Sequence, residues 1–126
     1  MAPDNASLIF KITPCAPWQA AEAAGRFTGA PVDLADGFIH FSTAGQMAET
    51  AAKHFAGQAD LLLVAVRTAA LELGRLRWEV SRGGALFPHL YGPLPLDAVA
   101  WVRELPLGPE GRHMFPPDIF PSSEEG

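Results

Sequence analysis

The sequence predicts an α+β fold, on two observations. Its segments read in order as strand, helix, strand, helix and then mostly strands, a segregation that does not suit a regularly alternating parallel sheet. Several of the strand segments carry proline, which also argues against a doubly wound sheet. The composition agrees with a packed domain: 126 residues, 48% hydrophobic and only 18% charged, the reverse of a long disordered chain. One domain is expected over residues 8–115, followed by a Pro/Ser/Glu-rich, flexible tail over 116–126.

Taken along the chain, Met1 to Ser7 is small and polar and is read as frayed. LIFKI, Leu8 to Ile12, is the first strand, since β-branched and aromatic residues suit a pleated surface. Alternation puts Leu8, Phe10 and Ile12 on the core face and Ile9 and Lys11 on the other, with Lys11 facing a cleft or solvent. Trp18 to Ala24 is a helix, with Pro17 in its first turn and Gly25 as a left-handed stop. Phe27 to Asp36, holding Gly29 and Pro31, reads as a connecting loop, and Asp36-Gly37 as a turn. Phe38 to Ser42 is a strand.

Thr43 with Gln46 three residues on has capping-box spacing. The helix that follows runs to about Phe55, with Met47, Ala51, His54 and Phe55 on one stripe. LLLVAV, Leu61 to Val66, is continuously apolar and reads as a strand buried on both faces. Leu71 to Leu76 is ambiguous. Trp78 to Ser81 is a strand, Arg82-Gly83-Gly84 a mobile turn, and Phe87 to Tyr91 a further strand. Ala98 to Leu105 is the last strand, although a helix also fits its length. Gly108 to Phe120, rich in Gly and Pro, is expected to wrap the surface.

Charge and cysteine content narrow the function. A net charge of −5 disfavours nucleic acid and anionic membrane, which need a positive surface. No apolar run approaches the roughly 20 residues that cross a bilayer, and the N-terminus lacks a secretory pattern, so a cytoplasmic location is expected. The single Cys15 forms no internal disulfide framework. At a helix start its thiol pKa could be lowered, but it reads as a small buried hydrophobe.

Three constellations carry candidate chemistry. In GFIHFS, alternation places Phe38, His40 and Ser42 on one face, where His40 and Ser42 can converge on a ligand. The plain alternative is a core histidine and a helix cap. In FPHLYG, Phe87, His89 and Tyr91 share a face opposite Leu90: a phenol and an imidazole against an aromatic wall, as in a small-molecule cleft. Its alternative is a half-exposed, proline-bearing edge strand. Glu79, between Trp78 and Val80, suits acid/base or hydroxyl-binding work, or a surface ion pair with Arg75, Arg77 or Arg82. Lys11 in its apolar strand poses the same choice and ordinarily snorkels to water. The histidines His40, His54, His89 and His113 lack helical or strand zinc spacing. Ser42 lacks a Gly-x-Ser-x-Gly setting.

The combination IFKI, GFIHFSTAGQ, WE and FPHLYGPL resembles a small bacterial domain-of-unknown-function family, number 952, over about Leu8 to Leu107. That family is placed with the ADP-ribosyltransferase-like fold. The resemblance therefore implies two small, mostly antiparallel sheets packed at an angle, with flanking helices and a cleft between them. It implies binding of NAD, or a related ADP-ribosyl or nucleotide ligand, with NAD as a substrate for ADP-ribosyl transfer. It assigns catalytic parts to Glu79, His89 and His40 and ligand-binding parts to Lys11, Ser42 and Tyr91, with no metal. The chain lacks Glu-x-Glu, which favours a non-catalytic small-molecule or peptide-binding module. A metal enzyme using His40 and His89 is the third reading.

Overall fold

Alternating side chains on one central sheet build two cores, one on each of its faces. The computed structural model describes residues 7–72, 74–80 and 84–116. Strand β1 (Leu8–Pro14) and strand β8 (Val99–Leu105) pair antiparallel on either side of strand β4 (Leu61–Arg67). Period-2 alternation sends Ile9, Val64 and Val66 to one face, against Trp18, Phe27, Ile39 and Leu90. Phe10, Ile12, Leu61, Leu63 and Ala65 go to the other, against Met47, Ala51 and Leu105. Strand β4 is thus buried on both faces, as its unbroken apolar run predicts. The register of β4 against β8 shifts between Ala65 and Val66, leaving Ala100 of β8 without a register partner on β4, as at a bulge.

Two further sheets are present where two in all were expected. Strand β2 (Arg26–Phe27) pairs with strand β7 (Leu94–Pro95) as a two-residue ladder. Strand β6 (Leu86–Leu90) lies between strand β3 (Ile39–His40) and strand β5 (Leu76–Val80), all antiparallel. Pro88 is therefore in a middle strand, not an edge strand. It is tolerated because β3 is so short, and its carbonyl still accepts from Phe41 N–H at 3.0 Å.

Helix α1 (Cys15–Ala24) starts three residues before the expected Trp18 and ends at Gly25 in the left-handed conformation, φ 89°. Cys15 is half-buried, not buried. The loop expected over Phe27 to Asp36 holds strand residue Phe27 and helix α2 (Pro31–Asp36). Pro31 at its first position and Asp33 at its third explain it: Asp33 Oδ2 accepts Ala30 N–H at 2.7 Å. Helix α3 (Met47–His54) follows a 3-10 turn over Ala44–Gln46. Gln46 Oε1 accepts Thr43 N–H at 3.0 Å, and its Nε2 donates to the Leu86 carbonyl at 2.8 Å, tying the helix start to β6.

Ser7, expected to fray, is held by its carbonyl, which accepts from Thr68 N–H and Oγ1–H. The expected frayed residues Met1 to Ala6, the turn residues Arg82 and Gly83, and the tail beyond Pro116 lie outside the described residues. Among the described residues, no helix is long and apolar enough to cross a membrane.

Candidate functional site

The segment after Gly37 joins two sheets. Ile39 and His40 pair with Leu90 and His89 of β6, Phe41 N–H reaches the Pro88 carbonyl, and Ser42 exchanges two 2.8 Å backbone bonds with Phe10 of β1. Ile39 and Phe41 point into the core, both nearly fully buried. His40 and Ser42 consequently face the other way, into the seam where the sheets diverge. A cavity of about 510 Å³ opens there, lined on its polar side by Lys11, Asp36, His40, Ser42, Thr50 and His89. Phe10, Phe55 and Phe87 form apolar wall. The size and mixed lining suit a small-molecule site.

Asp33 organises one side of this seam. Its side chain is fully buried and collects four donors. Oδ1 accepts from Lys11 Nζ at 2.8 Å, His40 N–H at 3.0 Å and His40 Nδ1 at 2.6 Å, while Oδ2 takes Ala30 N–H. Burial alone would raise the Asp33 carboxyl. The bond from His40, the charge and bond of Lys11, and the His40 backbone N–H outweigh it and hold the group at about 2. For Lys11, burial is the larger effect and lowers the ammonium pKa against the pull of Asp33. His40 Nε2 lies 2.9 Å from Asp36 Oδ2, so both ring nitrogens face carboxylates, an arrangement served by two N–H donors.

A second cluster stands behind His89. Glu79 Oε1 accepts from His89 Nδ1 at 2.8 Å and from Tyr91 Oη at 2.9 Å. A carboxylate only accepts, so Nδ1 carries the proton, and the neutral tautomer leaves Nε2 as the acceptor. Nε2 has no hydrogen-bond partner among the described residues. Phe38 stacks on the His89 ring at 4.2 Å between centroids and 29° between planes, which fixes its orientation. The His89 and Tyr91 bonds lower the Glu79 carboxyl, and the bond to Glu79, with burial, raises the Tyr91 phenol. Arg77 sits 5.0 Å over the Tyr91 ring.

Of the six expected site residues, Lys11, His40, Ser42 and His89 line the cavity. Glu79 and Tyr91 do not; they reach it through His89. Lys11 does not snorkel to water, being 4% exposed. His40 is no core histidine bonded to backbone, because its ring nitrogens meet side-chain carboxylates. Ser42 caps no helix; its Oγ bonds Thr50 Oγ1 at 3.1 Å. The surface ion pair weighed for Glu79 is instead a bond to the buried His89. Sequence reasoning missed Asp33, Asp36 and Thr50. The helix-start signal of Pro31 with Asp33 could have found the first two. Among the described residues no group of three His, Cys, Asp or Glu side chains converges as a metal site.

Comparison with known proteins agrees with this architecture. The X-ray structure of protein CC0527 from Caulobacter crescentus is 53% identical over 85% of this chain and 93% of that one, with a TM-score of 0.81. The solution NMR structure of CC0527 is 55% identical over 84% of this chain and 90% of that one, with a TM-score of 0.74. No curated protein is significantly similar to the chain. The family model described as "Protein of unknown function (DUF952)" matches residues 12–102, and the chain belongs to that family.

Proposed function

We propose that the cavity binds NAD or a related ADP-ribosyl or nucleotide ligand, and that the chain transfers the ADP-ribosyl group. The observation that carries this reading is the direct pairing of His40 with His89, which gathers Lys11, His40, Ser42 and His89 around one cavity. The likeness of the GFIHFS and FPHLYG segments to family 952, read as a family of ADP-ribosyltransferase-like fold, supports the choice of ligand. In this mechanism Lys11 and Ser42 bond ribose oxygens against the phenylalanine wall. His89 Nε2 removes the proton of an acceptor hydroxyl or water as its oxygen bonds to the ribose anomeric carbon. The bond from that carbon to nicotinamide breaks, and nicotinamide leaves with the electron pair. Glu79 holds His89 in the required tautomer and stabilises the imidazolium that forms, an electrostatic contribution.

Calorimetry with NAD and ADP-ribose tests binding, and nicotinamide release tests transfer. Saturable heat with release abolished in His89→Ala supports the reading; no heat at millimolar ligand overturns it. A specific observation favours one other reading. The charges of Lys11 and His40 are already matched by Asp33 and Asp36, and the chain lacks Glu-x-Glu. Binding without nicotinamide release would make the domain a non-catalytic module.

A further inference from the structure

We propose that Lys11 anchors an uncharged part of the ligand, a hydroxyl or carbonyl oxygen, and that the cavity rejects anionic groups at this position. The inference rests on reading the cavity as a ligand site, and it names what the buried end of that ligand must be.

Lys11, whose side chain is 4% exposed, lines the cavity and carries three N–H donors on its ammonium. One donor goes to Asp33 Oδ1 at 2.8 Å. The other two have no partner among the described residues. A buried cation with unmade hydrogen bonds is costly, so the cavity is built to receive an acceptor there.

The charges already in place decide which kind. Asp33 accepts from both Lys11 and His40, and Asp36 lies 2.9 Å from His40. Within that network two carboxylates thus face at most two cations, while His54 lines the cavity outside it. His89 has its own counter-charge in Glu79. A phosphate or carboxylate entering beside Lys11 would be a third anion among those two cations. A neutral oxygen takes the free donors without that repulsion. For a dinucleotide, the sugar or amide end would lie inside, and the phosphates would stay at the mouth.

The test uses an isosteric pair, phenylacetamide and phenylacetate, on the full chain at pH 8, where the ligand carboxyl is fully ionised. Binding is followed by the ¹³Cε resonance of Lys11. The amide should move that signal and saturate at a concentration at least about tenfold below the carboxylate. Lys11→Met should abolish the difference, and the wild-type comparison decides the matter if that variant fails to fold. Equal or tighter binding of phenylacetate, or an unmoved Lys11 signal with phenylacetamide at its solubility limit, overturns the proposal. NAD in a parallel titration separates the two readings. Amide binding without NAD binding removes the nucleotide reading and leaves this one; NAD binding with phenylacetate preferred does the reverse.

Discussion

His40 and His89 stand directly opposite each other across an antiparallel pair, with ring centroids 5.6 Å apart and planes nearly perpendicular. Opposed residues on one face of such a pair necessarily share their surroundings. Yet the two rings are held by different acids, His40 by Asp33 and Asp36, His89 by Glu79. One ring is bound at both nitrogens; the other has no partner at Nε2 among the described residues. In the proposed mechanism, proton transfer therefore falls to His89, and ligand positioning to the network around His40.

That division predicts how Glu79→Gln behaves. The amide can offer N–H to His89 Nδ1 and favour the other tautomer, as no carboxylate can. The His89 ¹⁵N resonances should report protonation moving from Nδ1 to Nε2. Nicotinamide release should fall by about 10²–10⁴-fold, the usual worth of a positioned acid–base group. An unchanged rate with the tautomer reversed would remove His89 from the chemistry.

The Lys11–Asp33 pair predicts an asymmetric double-mutant cycle. Asp33→Ala strands a buried ammonium and takes the acceptor from three other donors. It should cost about 3–5 kcal/mol in urea unfolding. Lys11→Met leaves Asp33 with its histidine and backbone donors, and should cost about 1–3 kcal/mol. The double variant should be more stable than Asp33→Ala plus Lys11→Met added together, by about 0.5–3 kcal/mol. Strict additivity would mean that the pair is not coupled.

What could be read from the sequence, and what could not, divides along the same residues. The alternation of Phe38, His40 and Ser42 against Ile39 and Phe41 needs only the period of a strand, and it places the polar face correctly. The unbroken run Leu61 to Val66 marks the strand covered on both sides for an equally local reason. Asp33 was hidden because Gly29 and Pro31 read as loop punctuation, although proline at a first helical turn is common. Its partner lies 22 residues away at Lys11, a contact created by folding and absent from any local pattern. The same blindness made Lys11 look like a lysine reaching for water. Glu79 lay near three arginines in sequence, but strand register turns it toward His89 and Tyr91 instead. The third small sheet, two residues per strand, is too short to leave a periodic signal.

Acid should weaken the fold through Asp33. Its carboxyl has an ordinary value of 3.8 and lies at about 2 in the folded chain. The folded value is depressed, so the unfolded chain binds the proton more readily. The associated stability, about 2 kcal/mol, is complete above the ordinary value and is lost as pH falls towards 2. Urea unfolding from pH 5 to pH 2 should show this decline, and Asp33→Asn should flatten it. An equally steep decline in the variant would assign the acid sensitivity to other carboxyls.

Gly29 supplies a last test, because its missing side chain makes room for Asp33. Gly29 has φ +126°, and a Cβ there would lie 2.8 Å from Asp33 Cβ. The obstructing atom is next to the backbone of α2 and cannot swing away, so the helix must move. Gly25 is the control: its φ is +89°, also left-handed, but a Cβ there meets nothing within 4 Å. Gly25→Ala should cost only backbone strain, on the order of 1 kcal/mol. Gly29→Ala should cost at least about 2 kcal/mol, adding displacement of a buried, bonded carboxylate to the same strain. It should also raise the Asp33 pKa, seen by carboxyl ¹³C titration, as the bonds from His40 and Lys11 lengthen. Equal losses in the two alanine variants, with the Asp33 titration unmoved, would show that the close approach of Gly29 does not set the position of Asp33.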